Sequence, residues 1–113
     1  MNLQDLADWI EKAASNGAVP VLTGRNGDMD TIGSAIALAS SNPNLLACGL
    51  HIGKLAKRLC LELDAPFRKL AKEPSWPAKM GGIIIVDAAS ESQTGVALPK
   101  DVPICVIDHH DTC

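Results

Sequence analysis

The apolar positions of the chain fall into short blocks whose period changes along its length. Leu3, Leu6, Ile10 and Ala13, with Ala7 and Ala14 beside them, recur at helical spacing, and Asn16-Gly17 supplies a stop. Residues 18–23, AVPVLT, run without polar alternation, the pattern of a strand buried on both faces, although Pro20 cannot donate a hydrogen bond there. The segment 24–30 is turn-forming. From Thr31 to Ser40 the sequence TIGSAIALAS is small, apolar and helix-compatible, with Asp30 or Thr31 as its expected N-cap.

Residues 41–44, SNPN, signal a turn, and Leu45 to Cys48 is expected as a short second strand. Between Ile52 and Leu63 apolar residues mix with Lys54, Lys57 and Arg58 in an amphipathic pattern that predicts another helix. Three prolines break the stretch from Pro66 to Pro77, after which Gly81-Gly82 leads into IIIV at 83–86, the strongest strand signal in the chain. ICVI at 104–107 repeats that pattern. Strands separated by helices predict an α/β fold, a Rossmann-like parallel β-sheet flanked by helices, in which ligands gather beyond the carboxyl ends of the strands.

Each of the three apolar strands is followed by acid. Asp28 and Asp30 come after the first, Asp87 directly after IIIV, and Asp108-His109-His110 directly after ICVI. In a parallel sheet all of these face one crevice, where unpaired negative charge repels itself. Mixed carboxylate and imidazole donors suit manganese, zinc or iron better than calcium, so a divalent cation is the natural counter-charge.

With 113 residues and 47% hydrophobic content the chain forms one globular domain rather than two. A formal net charge of −3 gives no basic excess to draw a nucleic-acid backbone from a distance, so a polyanionic substrate must be held locally. Cys48, Cys60, Cys105 and Cys113 show neither C-x-x-C spacing nor the density of a disulfide-stapled domain, and no segment has the pattern of a signal peptide or membrane span. The expected compartment is the cytoplasm, with no membrane partner.

These motifs together resemble the DHH family of phosphoesterases. Its name-giving triplet is Asp108-His109-His110 in VIDHHDT, its first motif is NGDMDTIGSAIAL and its intermediate acid is Asp87 in IIIVDAAS, in the family's order and spacing from Val19 to Thr112. The family includes RecJ-like nucleases, small-oligonucleotide phosphodiesterases, phosphoadenosine-phosphate phosphatases and manganese pyrophosphatases. The resemblance implies a manganese-dependent hydrolase, with magnesium or zinc as alternatives, acting on short oligonucleotides, nucleotides or other phosphate esters through metal-activated water. It implies that Asp28 helps hold one ion, that Asp30 and His109 help hold a second, and that Asp87 bridges both at the centre of the chemistry. His110 would face the phosphate as a catalytic group, and Asp108 would orient the histidines from behind.

The sequence departs from the family at Gly24, four residues before Asp28, where the family carries a histidine. Glycine supplies no ligand, so one ion rather than two is an expected outcome, and a catalytically degenerate nucleotide-binding or scaffold protein of the same fold is the alternative reading. Arg25 in that turn is a candidate phosphate contact, because a guanidinium matches phosphate oxygens as a fork. Gly33 and Ser34 have two readings: close helix-to-strand packing, or phosphate binding at a helix N-terminus. Residues 1–113 are expected to be the N-terminal part of a DHH domain, because the family continues with a further acidic ligand and a substrate-binding domain. His51 reads as a cap or packing residue, and Lys54, Lys57 and Arg58 read as a solvated helix face.

Overall fold

A computed structural model describes residues 3–24, 29–50, 53–64, 67–86, 95–99 and 101–107, and for residues 3, 29–31, 55 and 56 the backbone alone. Helix α1 spans Leu3–Asn16 and strand β1 spans Val19–Thr23. Helix α2 (Met29–Ala39), strand β2 (Leu45–Gly49) and helix α3 (Lys54–Leu63) follow. Strands β3 (Arg68–Lys69), β4 (Ile83–Val86) and β5 (Ile104–Ile107) complete the set. The five strands form one parallel sheet in the order β3-β2-β1-β4-β5.

β1 is the centre of this sheet, and its composition shows why. All five of its residues are buried, and it pairs with β2 on one edge and β4 on the other. Pro20 is accommodated because backbone groups alternate sides along a strand. Val19 donates to Asn44 on the β2 side, so the missing donor of Pro20 faces the β4 side, where pairing begins one residue later at Val21 and Ile84.

Two apolar layers cover the faces of the sheet. Val19, Val21, Leu45, Ala47, Ile84 and Val86 pack against Ala13 and Ala14 of α1 and Ala35 and Ala39 of α2. On the opposite face Leu22, Cys48, Ile83 and Ile85 are covered by Leu70, Trp76, Met80, Val96 and Val102, from irregular segments rather than a helix among the described residues. The Trp76 indole donates to the Ala97 carbonyl, and the Ala97 amide donates to Lys72, which ties those segments together. No helix of the described residues is long and apolar enough to cross a membrane.

The elements differ from the sequence expectation at the start of α2, at the start of α3 and in β3. α2 starts at Met29, so Asp30 and Thr31 lie in its first turn rather than at its cap. An acid there is favoured by the positive end of the helix dipole, and the small, apolar helix extends to meet it. Gly33 and Ser34 are exposed, and a Cβ added to Gly33 would meet nothing within 4 Å, so close helix-to-strand packing does not explain them. The buried small residues of α2 are Ala35 and Ala39. α3 is described from Lys54, with Ile52 outside the described residues, and β3 falls inside the proline-broken stretch, where two residues carry no periodic signal.

Gly81 marks the tightest approach between layers. A Cβ there would overlap the Ala13 carbonyl at the end of α1. Gly81→Ala is therefore expected to lower unfolding free energy by about 1–3 kcal/mol in urea titration. Gly33→Ala, in open space within a helix, is expected to raise it by about 1 kcal/mol.

Burial in β2 pushes the Cys48 thiol up from its ordinary 9.0 to about 12, against the lowering influence of the Arg68 charge and a backbone hydrogen bond at Val21. The unfolded chain then releases this proton near pH 9.0 while the folded chain keeps it until about 12, so its stabilisation is intact below 9.0 and lost as pH rises toward 12. Unfolding free energy should fall in that window with a slope of up to about 1.4 kcal/mol per pH unit from this group. Cys48→Ala should remove that part of the slope in urea titrations repeated across alkaline pH.

Candidate functional site

The parallel strands end level with one another. Lys69 pairs with Gly49, Cys48 with Leu22, Thr23 with Val86, and Val86 with Ile107. The last residues of β3, β2, β1, β4 and β5 therefore form a single row along one edge of the sheet. Neighbouring strands lie about 4.8 Å apart, which places the ends of β1, β4 and β5 within roughly 10 Å of one another.

This edge is also where strand order changes direction. From β1 the chain moves outward to β2 and β3, then returns to β4 on the other side of β1, so the β1–β4 gap is the topological switch point. Ligands of open α/β sheets bind outside the carboxyl ends of the strands at such a point. In sequence, Asp87 is the residue after Val86 and Asp108 the residue after Ile107, and Asp28 comes five residues after Thr23. The segments bearing the candidate acids thus leave from the two strands that flank the switch point and from the neighbour of one of them.

Arg25, Asp28, Asp87, Asp108, His109 and His110 lie outside the described residues, as does His51. Asp30 is in the first turn of α2, described by its backbone. α2 runs back against the strands from this edge and packs on β1, β2 and β4, so its N-terminal amides, with their partial positive charge, lie at the same end of the sheet. Ser34 is exposed on the second turn of that helix. Gly24 is buried directly after β1, at the position where the family resemblance expects an imidazole. Among the described residues no three His, Cys, Asp or Glu side chains are grouped to hold a metal.

Thr23 is a site feature that pattern reading did not single out. It is fully buried, and its Oγ1 has no hydrogen-bond partner among the described residues. Alternation puts its side chain on the face of Val19 and Val21, beside Gly49, where an added Cβ would overlap the Thr23 hydroxyl and come within 3.3 Å of the Phe67 ring. Its signal in the sequence is faint: a hydroxyl ending an otherwise apolar strand. Burying such a group unpaired is costly, and retaining it at the row of strand ends suits a polar ligand.

No protein-family model, curated protein or solved structure matches this chain.

If the Thr23 hydroxyl serves a ligand rather than the fold, removing it should help the empty protein. Thr23→Val, which keeps the shape, is expected to raise unfolding free energy by about 1 kcal/mol in urea titration. A drop of that size instead would show that the hydroxyl is satisfied within the fold.

Proposed function

We propose that this chain carries the metal-binding edge of a DHH-type phosphoesterase and hydrolyses phosphate esters of nucleotides or short oligonucleotides. The observation that carries the reading is the level ending of β1, β4 and β5 around the switch point, each strand followed in sequence by acid. Carboxylates brought to one edge need a counter-charge, and the set Asp28, Asp30, Asp87 and His109 offers the oxygen and imidazole donors that manganese, magnesium or zinc accept. The Thr23 hydroxyl, without a partner among the described residues, and the N-terminal amides of α2 at the same edge add polar groups suited to a hydrated or phosphorylated ligand.

In this reading Asp87 sits between the other ligands, Asp108 orients the histidines, and His110 and Arg25 neutralise the phosphoryl oxygens. Exposed Ser34 on α2 is a further candidate contact for phosphate. A divalent cation held there supplies Lewis acidity and a bound water of lowered pKa. His109 must be neutral to act as a ligand, so binding weakens as pH falls through the histidine range.

Gly24 favours one further reading. Buried and without a donor, it leaves the site beside β1 short of an imidazole, which fits a protein that binds nucleotide without turning it over. Manganese titration by calorimetry, with hydrolysis of a generic phosphodiester on the same samples, separates the two. The phosphoesterase is expected to bind close to one ion per chain and to hydrolyse the ester, and Asp87→Ala should lower hydrolysis by at least about a hundredfold. Nucleotide binding with no turnover would establish the degenerate protein, and absence of any metal binding would remove the phosphoesterase reading.

A further inference from the structure

The row of strand ends continues past β1 to β2 and β3, and its chemistry changes sign there. A cleft of about 430 Å³ opens between α3 and β3, lined in part by Lys54, Lys57, Cys60, Asp64, Phe67 and Lys69. Intervals of three and four residues put Lys54, Lys57, Leu61 and Asp64 on one face of α3. Since β2 and β3 are parallel, α3 runs back from the carboxyl edge toward the other end of the sheet. Its Lys54 end lies at the carboxyl edge of the sheet, with Gly49 and Lys69, while Asp64 closes the helix at the far end in the left-handed conformation with φ 52°.

Three ammonium groups and one carboxylate line this cleft, on a chain whose formal net charge is −3. None of the three lysines has an ion-pair partner among the described residues, where the ion pair is Arg58 with Glu62. The positive end of the α3 dipole adds to Lys54 and Lys57. Leu61 and Phe67 supply apolar wall, and Phe67, half-buried and the chain's one phenylalanine, has a ring that touches the core beneath α2 and approaches Gly49 beside Thr23. Lysines on an exposed helix face read from the sequence as solvated. Here the fold sets two of them across from Lys69 and an aromatic ring.

We propose that this cleft holds a nucleoside monophosphate unit of the substrate, with its phosphate on Lys54, Lys57 and Lys69, its base against Phe67 and Asp64 accepting from a ribose or base donor. A volume of about 430 Å³ lies in the range of small-molecule sites. Stacking on an aromatic ring is tolerant of base identity. The placement rests on the phosphoesterase reading: Lys69 is two strand spacings from β1 and three from β4, roughly 10 and 14 Å. A nucleotide anchored at Lys69 would direct the adjoining phosphodiester toward the acid-bearing edge.

Cys60 reports occupancy, because it lines the cleft and is partly exposed while Cys48 and Cys105 are buried. Alkylation of Cys60 by iodoacetamide is followed by peptide mass spectrometry, in chelator, with adenosine monophosphate as the probe. At a concentration about ten times its Kd the nucleotide should slow alkylation about tenfold, in the native chain and in Asp87→Ala alike. Adenosine or inorganic phosphate at the same concentration should protect far less. Lys57→Gln, at an exposed helix position, should weaken the nucleotide about tenfold, the loss of one charge-assisted contact.

Unchanged alkylation with the nucleotide present, protection as strong by phosphate alone, or protection indifferent to Lys57→Gln would each overturn the proposal. Protection without any metal-dependent hydrolysis would keep the cleft and remove the phosphoesterase reading. Hydrolysis that depends on Asp87, beside an unprotected Cys60, would do the reverse.

Discussion

Everything at the candidate site depends on β1 being hydrogen-bonded along both edges. A strand with β2 on one side and β4 on the other, all parallel, satisfies its backbone only if the connecting chain returns each time to the starting end of the sheet. The returns are made by α2 and α3 and by the irregular crossing from β3 to β4. Every carboxyl end then emerges on one edge, and reversal of strand order opens the gap between β1 and β4. The cost of this arrangement is visible where layers meet most closely: Gly81 lies against the Ala13 carbonyl, and Gly49 leaves room for Thr23 and Phe67.

The segments that follow the strands differ in charge. On the β1, β4 and β5 side the segments that follow the strands bear Asp28, Asp87 and Asp108-His109-His110. On the β2 and β3 side lie Lys69, Lys54 and Lys57 around the cleft. A net charge of −3 repels a polyanion at long range, so any polyanion would have to be held by local fields of this kind. Thr23, Gly49 and Phe67 join the two halves, since the Thr23 hydroxyl fills the space beside Gly49 that the Phe67 ring also approaches.

The opposite face has a different construction. There Leu70, Trp76, Met80, Val96 and Val102 from irregular chain cover Leu22, Cys48, Ile83 and Ile85. The burial this achieves is complete enough to push the Cys48 thiol well above its ordinary range despite the nearby Arg68 charge. A thiol in that state is a packing group, not a nucleophile.

The sequence alone determined the long elements and the parallel class of the fold. IIIV at 83–86 and AVPVLT at 18–23 are apolar without alternation, the pattern of strands covered on both faces. ICVI at 104–107 reads the same way although it is an edge strand with Val106 exposed, and α1 and α3 follow from helical spacing. It also placed acids after three strands. What it left undecided were features made by long-range neighbours. β3 exists because Arg68 and Lys69 meet Cys48 and Gly49, and two residues have no period of their own. α2 begins at Met29, ahead of Asp30 and Thr31 that read as its cap, with Asp30 in the first turn where the positive end of the helix dipole favours an acid. Strand order, the level row of strand ends, the buried Thr23 hydroxyl and the lysine cleft were decided by tertiary structure. Each requires residues far apart in the chain to sit side by side, and no local pattern encodes which strand will be whose neighbour.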